Sequence, residues 1–410
     1  MKNTFNEIDC CEVCGNKELE KVLDLGLHPM CDDLIKVGDE RVCKDYPIEI
    51  LYCKICRTAH QKYQVPKHDL FPISYHYRAR FTSDVLDGMK GLVASCETQF
   101  GSLKDKVVLD IGCNDGSLLS FFRDKGAKTV GIEPTGACDD AIANGHEAIC
   151  DYLSLSVAKD VVQKYGNPDL ITFTNVFAHI EDLKGVLDSL KFLMKEETKI
   201  VIENHYLGSV LDGNQFDTFY HEHPRTYSYT SFKYMAKTLG LGIESVEFPS
   251  RYGGNIRVFI GNSGEFTSSA NLQEIELREM EYYDDFKRLE NNIQTWLRVK
   301  SEQLDSNFRK HGRIKAKAFP GRAAILIKML NLNSDSISEV YEKPGSLKIG
   351  HYLPGTRIPI HSDDELLSSE DKNSPILNLA WHISDEIKGY LRSSGYEGYI
   401  INILDQDEFS

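Results

Sequence analysis

The chain has 410 residues, which is enough for two or three domains of ordinary size, so it needs no disulfide framework in order to fold. Acidic residues outnumber basic ones by 62 to 47, and the formal net charge of −15 argues against a nucleic-acid backbone as the main ligand. No window approaches the roughly 20 apolar residues of a membrane span, and the first residues lack the apolar core of a signal peptide. We therefore expect a cytoplasmic protein with no membrane or nucleic-acid partner.

Two Cys-x-x-Cys pairs near the start of the chain predict a metal site. Two residues between cysteines allow a tight turn to aim both thiolates at one ion, and two such turns supply the four sulfur ligands of a closed Zn²⁺ site. In a reducing compartment this pattern favours a metal over disulfides, although accidental spacing or a redox pair is an alternative. Cys10 and His60 are neighbouring substitutes that leave the ligand set open. A closed site has no free coordination position, so its predicted role is structural. The predicted ligands are Cys11, Cys14, Cys53 and Cys56.

A segment rich in aromatic and basic residues follows at positions 71–82. Tyr75, Tyr77 and Arg80 in this segment are candidate substrate contacts, because aromatic and cationic groups can line a ligand cleft. Packing of the aromatic rings against the next domain explains the same composition.

From residue 106 onwards, short apolar strands alternate with helical segments, which predicts a parallel α/β sheet. The first strand runs into a glycine-bearing loop at the start of a helix, where backbone can approach a ligand closely. The next strand ends at Glu133, whose carboxylate can accept hydrogen bonds from both hydroxyls of a ribose. The loop after the fourth strand contains Asn175 and His179. The candidate ligand-binding residues of the glycine loop are Asp110, Gly112, Asn114, Gly116 and Ser117.

The spacing of this loop distinguishes two nucleoside cofactors. A dinucleotide-binding loop reads G-x-G-x-x-G and holds a pyrophosphate, whereas this one reads D-x-G-x-x-x-G. The arrangement resembles class I methyltransferases, which use S-adenosylmethionine, a cofactor without phosphate. In such enzymes the loop that corresponds to Asn175 borders the methionine end of the cofactor. An NAD enzyme is the weaker fit.

The densest group of titratable residues lies at positions 220–223, Tyr-His-Glu-His. Two histidines beside a glutamate are costly to bury as packing because each polar group needs a partner, so the group is a candidate for acid–base chemistry. His223 is the predicted base, Glu222 orients or charge-stabilises its imidazole, and Tyr220 donates to a developing oxyanion. His179 is expected to face the same cleft. A second metal site or a surface loop are the alternatives.

The order of these motifs, ending in Y-G-G-N-I-R at 252–257, resembles the zinc-containing sugar C-methyltransferases over essentially the whole chain. Those enzymes act on nucleotide-linked deoxyketosugars. The resemblance implies that His223 removes the proton next to a ketone, with Tyr220, Glu222 and His179 around the reacting carbon. It also implies an α/β fold in three parts: a zinc-binding module and lid (1–82), a Rossmann-like class I methyltransferase domain (83–265), and connecting helices with a small C-terminal α/β domain (266–410).

Three departures from the family pattern affect the expected substrate site. The tail after Y-H-E-H is Pro-Arg-Thr-Tyr at 224–227, the segment after the fifth strand is Glu-Asn-His at 203–205, and the loop before the C-terminal helix is Phe-Pro-Gly-Arg-Ala-Ala at 319–324. Transfer to oxygen or nitrogen of a related polar metabolite therefore stays open, as does a non-catalytic zinc-stabilised binding module. The candidate substrate contacts in and near these segments are His221, Arg225, Arg322 and Arg357.

Overall fold

The computed structural model describes residues 5–71, 77–81, 83–262 and 271–409. Its strands in chain order are β1 (Asn6–Glu7), β2 (Glu20–Pro29), β3 (Ile35–Lys36), β4 (Asp45–Cys53), β5 (Thr58–Gln61), β6 (Tyr63–Gln64), β7 (Val107–Ile111), β8 (Lys128–Ile132), β9 (Glu147–Ile149), β10 (Leu170–Thr174), β11 (Lys199–His205), β12 (Arg225–Thr226), β13 (Gly242–Glu247), β14 (Asn255–Gly261), β15 (Ile314–Lys317), β16 (Ile337–Glu342), β17 (His351–Tyr352), β18 (Ile360–Ser362), β19 (Ile376–Asn378) and β20 (Ile400–Asn402).

The helices in chain order are α1 (Lys67–Leu70), α2 (Ser83–Phe100), α3 (Ser117–Asp124), α4 (Ala137–Ala143), α5 (Leu155–Tyr165), α6 (Leu183–Leu193), α7 (Leu207–Asp212), α8 (Tyr229–Thr238), α9 (Leu272–Glu279), α10 (Tyr282–His311), α11 (Ala323–Met329), α12 (Asp363–Ser368) and α13 (Ser384–Ser393). Short 3₁₀ helices lie at Ala79–Phe81, Phe177–His179, Phe216–Thr218, Arg251–Gly253, Trp381–Ile383 and Gln406–Phe409. None of the described helices is long and apolar enough to cross a membrane.

Two compact units are interleaved along the chain, so neither is one continuous segment. The three-part division at 82 and 265 stays a prediction about the sequence. The first unit comprises Met1–Lys21, Leu51–Val210 and His223–Tyr283, and the second comprises Val22–Ile50, Leu211–Glu222 and Asp284–Ser410.

The central sheet of the first unit has the strand order β13-β14-β11-β10-β7-β8-β9. Neighbours from β11 to β9 are parallel, whereas β14 is antiparallel to β11 and to β13. Strands β10 and β14 are almost completely buried, which is typical of strands inside a covered α/β sheet. The predicted parallel α/β sheet is confirmed, and β13 and β14 extend it as an antiparallel pair.

Helices α2 and α3 pack against this sheet because each has an apolar face at helical spacing. Leu92 of α2 and Phe122 of α3 are fully buried in one cluster with Val108 of β7 and Phe259 of β14. The helix that follows the glycine loop is therefore held on the sheet by its own side chains.

The second unit contains another parallel sheet, with the order β18-β16-β15-β19-β20 and parallel pairing throughout. Numbered along the chain, its strands follow the order 3-2-1-4-5, which is that of a doubly wound fold. Helix α10 is tied to β20 and the turn after it through Lys300 and Trp296, whose side chains donate to the carbonyls of Asn402 at 2.7 Å and Ile403 at 3.1 Å. The predicted small C-terminal α/β domain is confirmed.

One disulfide, between Cys138 and Cys150, joins α4 to the end of β9. This pair was not predicted, because its cysteines are 12 residues apart and lie in no recognisable motif. The Cys-x-x-Cys cysteines form no disulfides.

Candidate active site and metal centre

The four cysteines of the two Cys-x-x-Cys pairs form one cluster in the first unit, with all four sulfur atoms within 4.8 Å of one another. The Sγ atoms of Cys11 and Cys56 are 3.3 Å apart, and those of Cys14 and Cys53 are 3.5 Å apart. Zn–S bonds of about 2.3 Å in a tetrahedron place sulfur atoms about 3.8 Å apart, so the cluster matches the size of a closed zinc site. These four residues would hold the ion and leave no position for substrate.

The turns around the cluster explain which residues are ligands. Gly15 has φ 75° and donates its N–H to the carbonyl of Cys11 at 2.8 Å, which closes the first knuckle. Cys10 lies outside the cluster, and the His60 ring lies beside Glu12, with 3.6 Å between Nδ1 and a carboxylate oxygen. Neither Cys10 nor His60 is therefore among the four clustered ligands.

The glycine loop after β7 needs glycine at two positions. Gly112 has φ 73°, and a Cβ there would lie 2.4 Å from the Val176 side chain. Gly116 has φ 79°, and a Cβ there would lie 2.6 Å from the His146 ring. Side chains at either position would be strained and would occupy the space around the loop. The chain thus passes from strand to helix with its backbone close to the sheet edge.

Two buried carboxylates face this loop. Burial raises the pKa of Asp110 to about 7, against the effect of the hydrogen bond that it accepts from Thr172 at 2.7 Å. Glu133 accepts the N–H of Asn114 at 3.0 Å and both the N–H and the hydroxyl of Thr135. Carboxylates at this edge repel a pyrophosphate and suit ribose hydroxyls and a sulfonium cation. These two carboxylates therefore fit S-adenosylmethionine better than NAD.

The described part of the aromatic and basic segment lies on the glycine loop. Asn114 accepts the N–H of Ala79 at 3.0 Å and donates to the carbonyl of Tyr77 at 3.3 Å. Arg80 donates its N–H to Asp115 at 3.0 Å. Tyr77 and Arg80 keep 43% and 41% of their side chains exposed and can reach a ligand. Tyr75 lies outside the described residues.

Three histidine rings of the first unit converge at the carboxyl ends of its strands. The His223 ring centroid is 4.7 Å from that of His179 and 5.4 Å from that of His205, the last residue of β11. Phe71 packs edge-on against His179, with centroids 5.3 Å apart. His179 was predicted to lie with His223. His205 was not, although its position at the end of a central strand was the signal that could have found it.

The loop after β10 lies at the same edge as the histidines. Asn175 adopts φ 54° and donates its N–H to the carbonyl of Glu203 at 2.8 Å. Asn255 donates to the side chains of Asn175 at 3.3 Å and Glu203 at 3.0 Å. The buried Oδ1 of Asn255 has no hydrogen-bond partner among the described residues, as expected of an acceptor that a ligand completes.

Tyr220, His221 and Glu222 belong to the second unit, where the chain leaves the short helix at Phe216–Thr218. His221 is 3% exposed and lies 3.2 Å from the carbonyl of Tyr46, and burial lowers its pKa to about 4. This neutral, buried imidazole packs the Tyr-His-Glu-His segment against the strand that contains Tyr46. The role of His221 as a substrate contact stays a prediction.

Two other predicted substrate contacts are engaged with protein groups in the second unit. Arg322 donates to both carboxylate oxygens of Asp217, at 2.8 and 2.5 Å, and Trp381 donates to the same carboxylate at 2.9 Å. Arg357 donates to three successive carbonyls, those of residues 39–41. Both guanidinium groups are engaged in hydrogen bonds within the protein, so neither is free to bind a substrate in this arrangement.

Arg225 is the clearest departure from the sequence prediction. Its side chain is fully buried in the first unit and cannot contact substrate. The guanidinium donates to the carboxylate of Glu12, to the carbonyls of Ile180 and Glu181, and to the hydroxyl of Tyr227. The sequence could not reveal these contacts, because Glu12 is 213 positions away.

Three domain models and one characterised relative match this chain. A methyltransferase domain model matches residues 89–246, a zinc binding domain model matches residues 11–71, and a C-methyltransferase C-terminal domain model matches residues 250–401. C-methyltransferase NovU from Streptomyces niveus is 26% identical over 416 residues, covering 96% of each chain.

Solved structures resemble part of the chain at lower identity. The PH0226 protein from Pyrococcus horikoshii OT3 is 16% identical with a TM-score of 0.37, covering 48% of this chain and 98% of its own. Magnesium protoporphyrin IX methyltransferase from Synechocystis PCC 6803, solved with bound SAH, is 16% identical with a TM-score of 0.35, covering 44% of this chain and 84% of its own.

The glycine loop, its carboxylates and the methyltransferase domain match together define the class: this chain is an S-adenosylmethionine-dependent methyltransferase. The three matched domains and the four-cysteine cluster assign it further. The chain carries a methyltransferase domain, a zinc-binding domain and a C-methyltransferase C-terminal domain, and it is similar over nearly its whole length to a C-methyltransferase.

Proposed function

We propose that the enzyme methylates a carbon atom of a nucleotide-linked ketosugar, with His223 as the base that removes the proton next to the ketone. The observation that carries the proposal is the convergence of His223 with His179 and His205 at the strand ends that also carry the glycine loop. The name of the similar C-methyltransferase from Streptomyces niveus supports carbon as the acceptor.

Carbon becomes nucleophilic only after deprotonation, so this reaction needs a base and a group that stabilises the enolate oxygen. Bound S-adenosylmethionine supplies an electrophilic methyl group on a sulfonium. In our proposal Glu133 and the loop from Asp110 to Ser117 bind the cofactor, together with Asn175. His223, which is 4% exposed, takes the proton in a site from which bulk water is excluded. Tyr220 donates to the enolate oxygen, and Glu222 and His179 support the charge that forms on His223.

Exchange of the carbon-bound hydrogen tests the base directly. The enzyme is incubated in deuterated water with S-adenosylhomocysteine, which cannot transfer methyl, and with a panel of nucleoside-diphosphate-linked 4-keto-6-deoxyhexoses. We expect deuterium next to the ketone, detected by proton NMR. His223→Asn should reduce both exchange and methyl transfer by about 10²–10⁴-fold, the usual contribution of general-base catalysis. His361→Asn is the matched control, because this histidine is partly exposed, lies in the second unit and pairs with Glu365 four residues further along the chain.

The position of the new methyl group distinguishes the alternatives. A product with the methyl group on carbon supports the proposal, and Tyr220→Phe should then lose less activity than His223→Asn. Attachment to oxygen or nitrogen without hydrogen exchange would establish the alternative transfer to a related polar metabolite. Binding of a nucleotide sugar with neither exchange nor transfer would favour a non-catalytic binding module.

A further inference from the structure

Arg225 links the segments that carry two of the converging histidines. It follows His223 by two residues, and its guanidinium donates to the carbonyls of Ile180 and Glu181, the two residues directly after His179. A guanidinium is planar and rigid, so donation to both carbonyls fixes the direction as well as the distance between the two segments. The His179 and His223 rings, 4.7 Å apart, are thus carried by two segments that this residue joins.

The other side of the same guanidinium reaches the metal centre. It donates to Glu12, which lies between the cluster cysteines Cys11 and Cys14. Glu12 also accepts a hydrogen bond from Gln64 at 2.7 Å. The His60 ring beside it is fully buried, and the guanidinium of Arg225 forms an ion pair with the carboxylate. The first knuckle is thereby attached to the histidine pair through one ion pair.

The second knuckle is attached to the same pair through the backbone. Strand β5, which begins two residues after Cys56, pairs antiparallel with β12, so that His60 opposes Arg225. Gln61 donates its N–H to the carbonyl of Pro224 at 2.8 Å. The chain directly after His223 is therefore an edge strand of the zinc-binding module. Both knuckles reach His223, one through a side chain and one through main-chain hydrogen bonds.

We propose that Arg225 is a positioning residue that holds the base His223 and its neighbour His179 in register with the four-cysteine site, with Glu12 as its anchor. This inference rests on the proposed function, because it assigns Arg225 a role toward that reaction. Arg225 itself touches no substrate, since its side chain is fully buried. The metal centre would then stabilise the fold and also fix the geometry of the base.

Two substitutions test the two ends of the connection. Arg225→Lys keeps the positive charge, but a single ammonium cannot reach Glu12 and both carbonyls with the geometry of a guanidinium. Glu12→Gln keeps the shape of the anchor and removes its charge. Glu20→Gln is the matched control, because it makes the same change in an exposed ion pair with Lys54 in the same unit. Zinc content and S-adenosylhomocysteine binding establish that each variant is folded.

The decisive readout is the set of imidazole NMR signals of His179 and His223 in the full chain, assigned through His179→Gln and His223→Gln. We expect Arg225→Lys and Glu12→Gln to bind zinc and S-adenosylhomocysteine as the wild type does, but to shift both sets of signals. Deuterium exchange into the ketosugar panel should fall by about 10²-fold, the scale of a 1 Å misplacement. Glu20→Gln should change neither quantity.

Unchanged histidine signals in a folded Arg225→Lys or Glu12→Gln variant would overturn the proposal. If only one variant binds zinc, that variant decides. Loss of zinc and fold in both would also overturn it, because Arg225 would then be a structural residue only. Histidine signals need no substrate, so a wild-type enzyme that exchanges no ketosugar refutes the proposed function while the NMR comparison still tests the positioning role.

Discussion

In both parallel sheets of this chain, an acidic residue at the end of the second strand accepts a hydrogen bond from the loop after the first strand. In the first unit Glu133, directly after the second strand β8, accepts the N–H of Asn114 in the loop after the first strand. In the second unit Glu342, the last residue of the second strand β16, accepts the N–H of Phe319 at 2.7 Å in the corresponding loop. Both acids anchor the turn from the first strand towards its helix.

The two sheets differ in how their buried charges are balanced. The hydrogen bonds accepted by Asp110 and Glu133 come from neutral hydroxyl and backbone donors. In the second unit, Lys317 is paired with Asp363 at 2.9 Å, and Arg322 with Asp217. One edge has negative charge left for a ligand, whereas the other is neutralised by the protein. Topology alone therefore does not make a nucleoside site, and the charges at the strand ends decide its function.

The largest effect is expected where an internal pair is broken. Lys317→Met leaves Asp363 buried and unpaired, which should lower the free energy of unfolding by about 3–5 kcal/mol. Chemical denaturation followed by circular dichroism measures the change. Lys328→Met is the control, because the pair of Lys328 with Asp45 is partly exposed and should be worth at most about 1 kcal/mol. Equal effects of the two substitutions would show that the buried pair at the strand ends contributes no more than an exposed one, and the charge contrast between the two sheets would then lose its energetic basis.

Asp110→Asn removes a buried carboxyl group that has no cationic partner among the hydrogen bonds described above. We expect the difference in unfolding free energy between the wild type and this variant to depend on pH. The pKa of Asp110 is about 7 in the folded protein and about 4 when unfolded, so the folded state retains a proton that the unfolded state loses between these values. Wild-type stability should therefore fall relative to Asp110→Asn as pH rises from about 4 to 7, by about 2–4 kcal/mol. Denaturation at several pH values measures the difference, and a constant difference would contradict it.

Matched alanine substitutions of the two loop-anchoring acids separate ligand binding from loop support. Glu133→Ala should weaken S-adenosylhomocysteine binding by about 1.5–3 kcal/mol, the size of hydrogen bonds to a charged group. Glu342→Ala removes the equivalent loop contact from the other sheet and should leave the affinity unchanged. Isothermal titration calorimetry measures both. Tight NAD binding by the wild type would overturn the cofactor assignment.

The smallest effect concerns a single hydroxyl at the neutralised edge. Tyr390 donates to Asp363 at 2.9 Å, in addition to the ion pair with Lys317. Because that carboxylate keeps its cation, Tyr390→Phe should cost only about 1 kcal/mol of unfolding free energy. Thermal denaturation detects a change of this size. A loss as large as that of Lys317→Met would indicate that the hydroxyl, and not the ion pair, satisfies Asp363.

Features set by short sequence spacing were predictable. The two Cys-x-x-Cys pairs specified the four-cysteine cluster because each knuckle is formed by adjacent residues. Apolar strands alternating with helical segments predicted the parallel sheet of the first unit, since hydrophobic periodicity is a local property of the sequence. The loop from Gly112 to Gly116 and the acid Glu133 lie at one edge of the sheet, as the strand pattern predicts, because the ends of neighbouring parallel strands meet there. Their role towards the cofactor stays a prediction.

What only the tertiary structure decided is the partner of each buried charge. The sequence made Arg225 and Arg322 candidate substrate contacts, whereas folding brings Glu12 to the first and Asp217 to the second. His205 lies with His179 and His223 for the same reason, because the three segments that carry these histidines are brought together only by folding. A buried ion must be paired, but its partner can come from any distance along the chain, so local pattern fixes the elements and packing fixes the site.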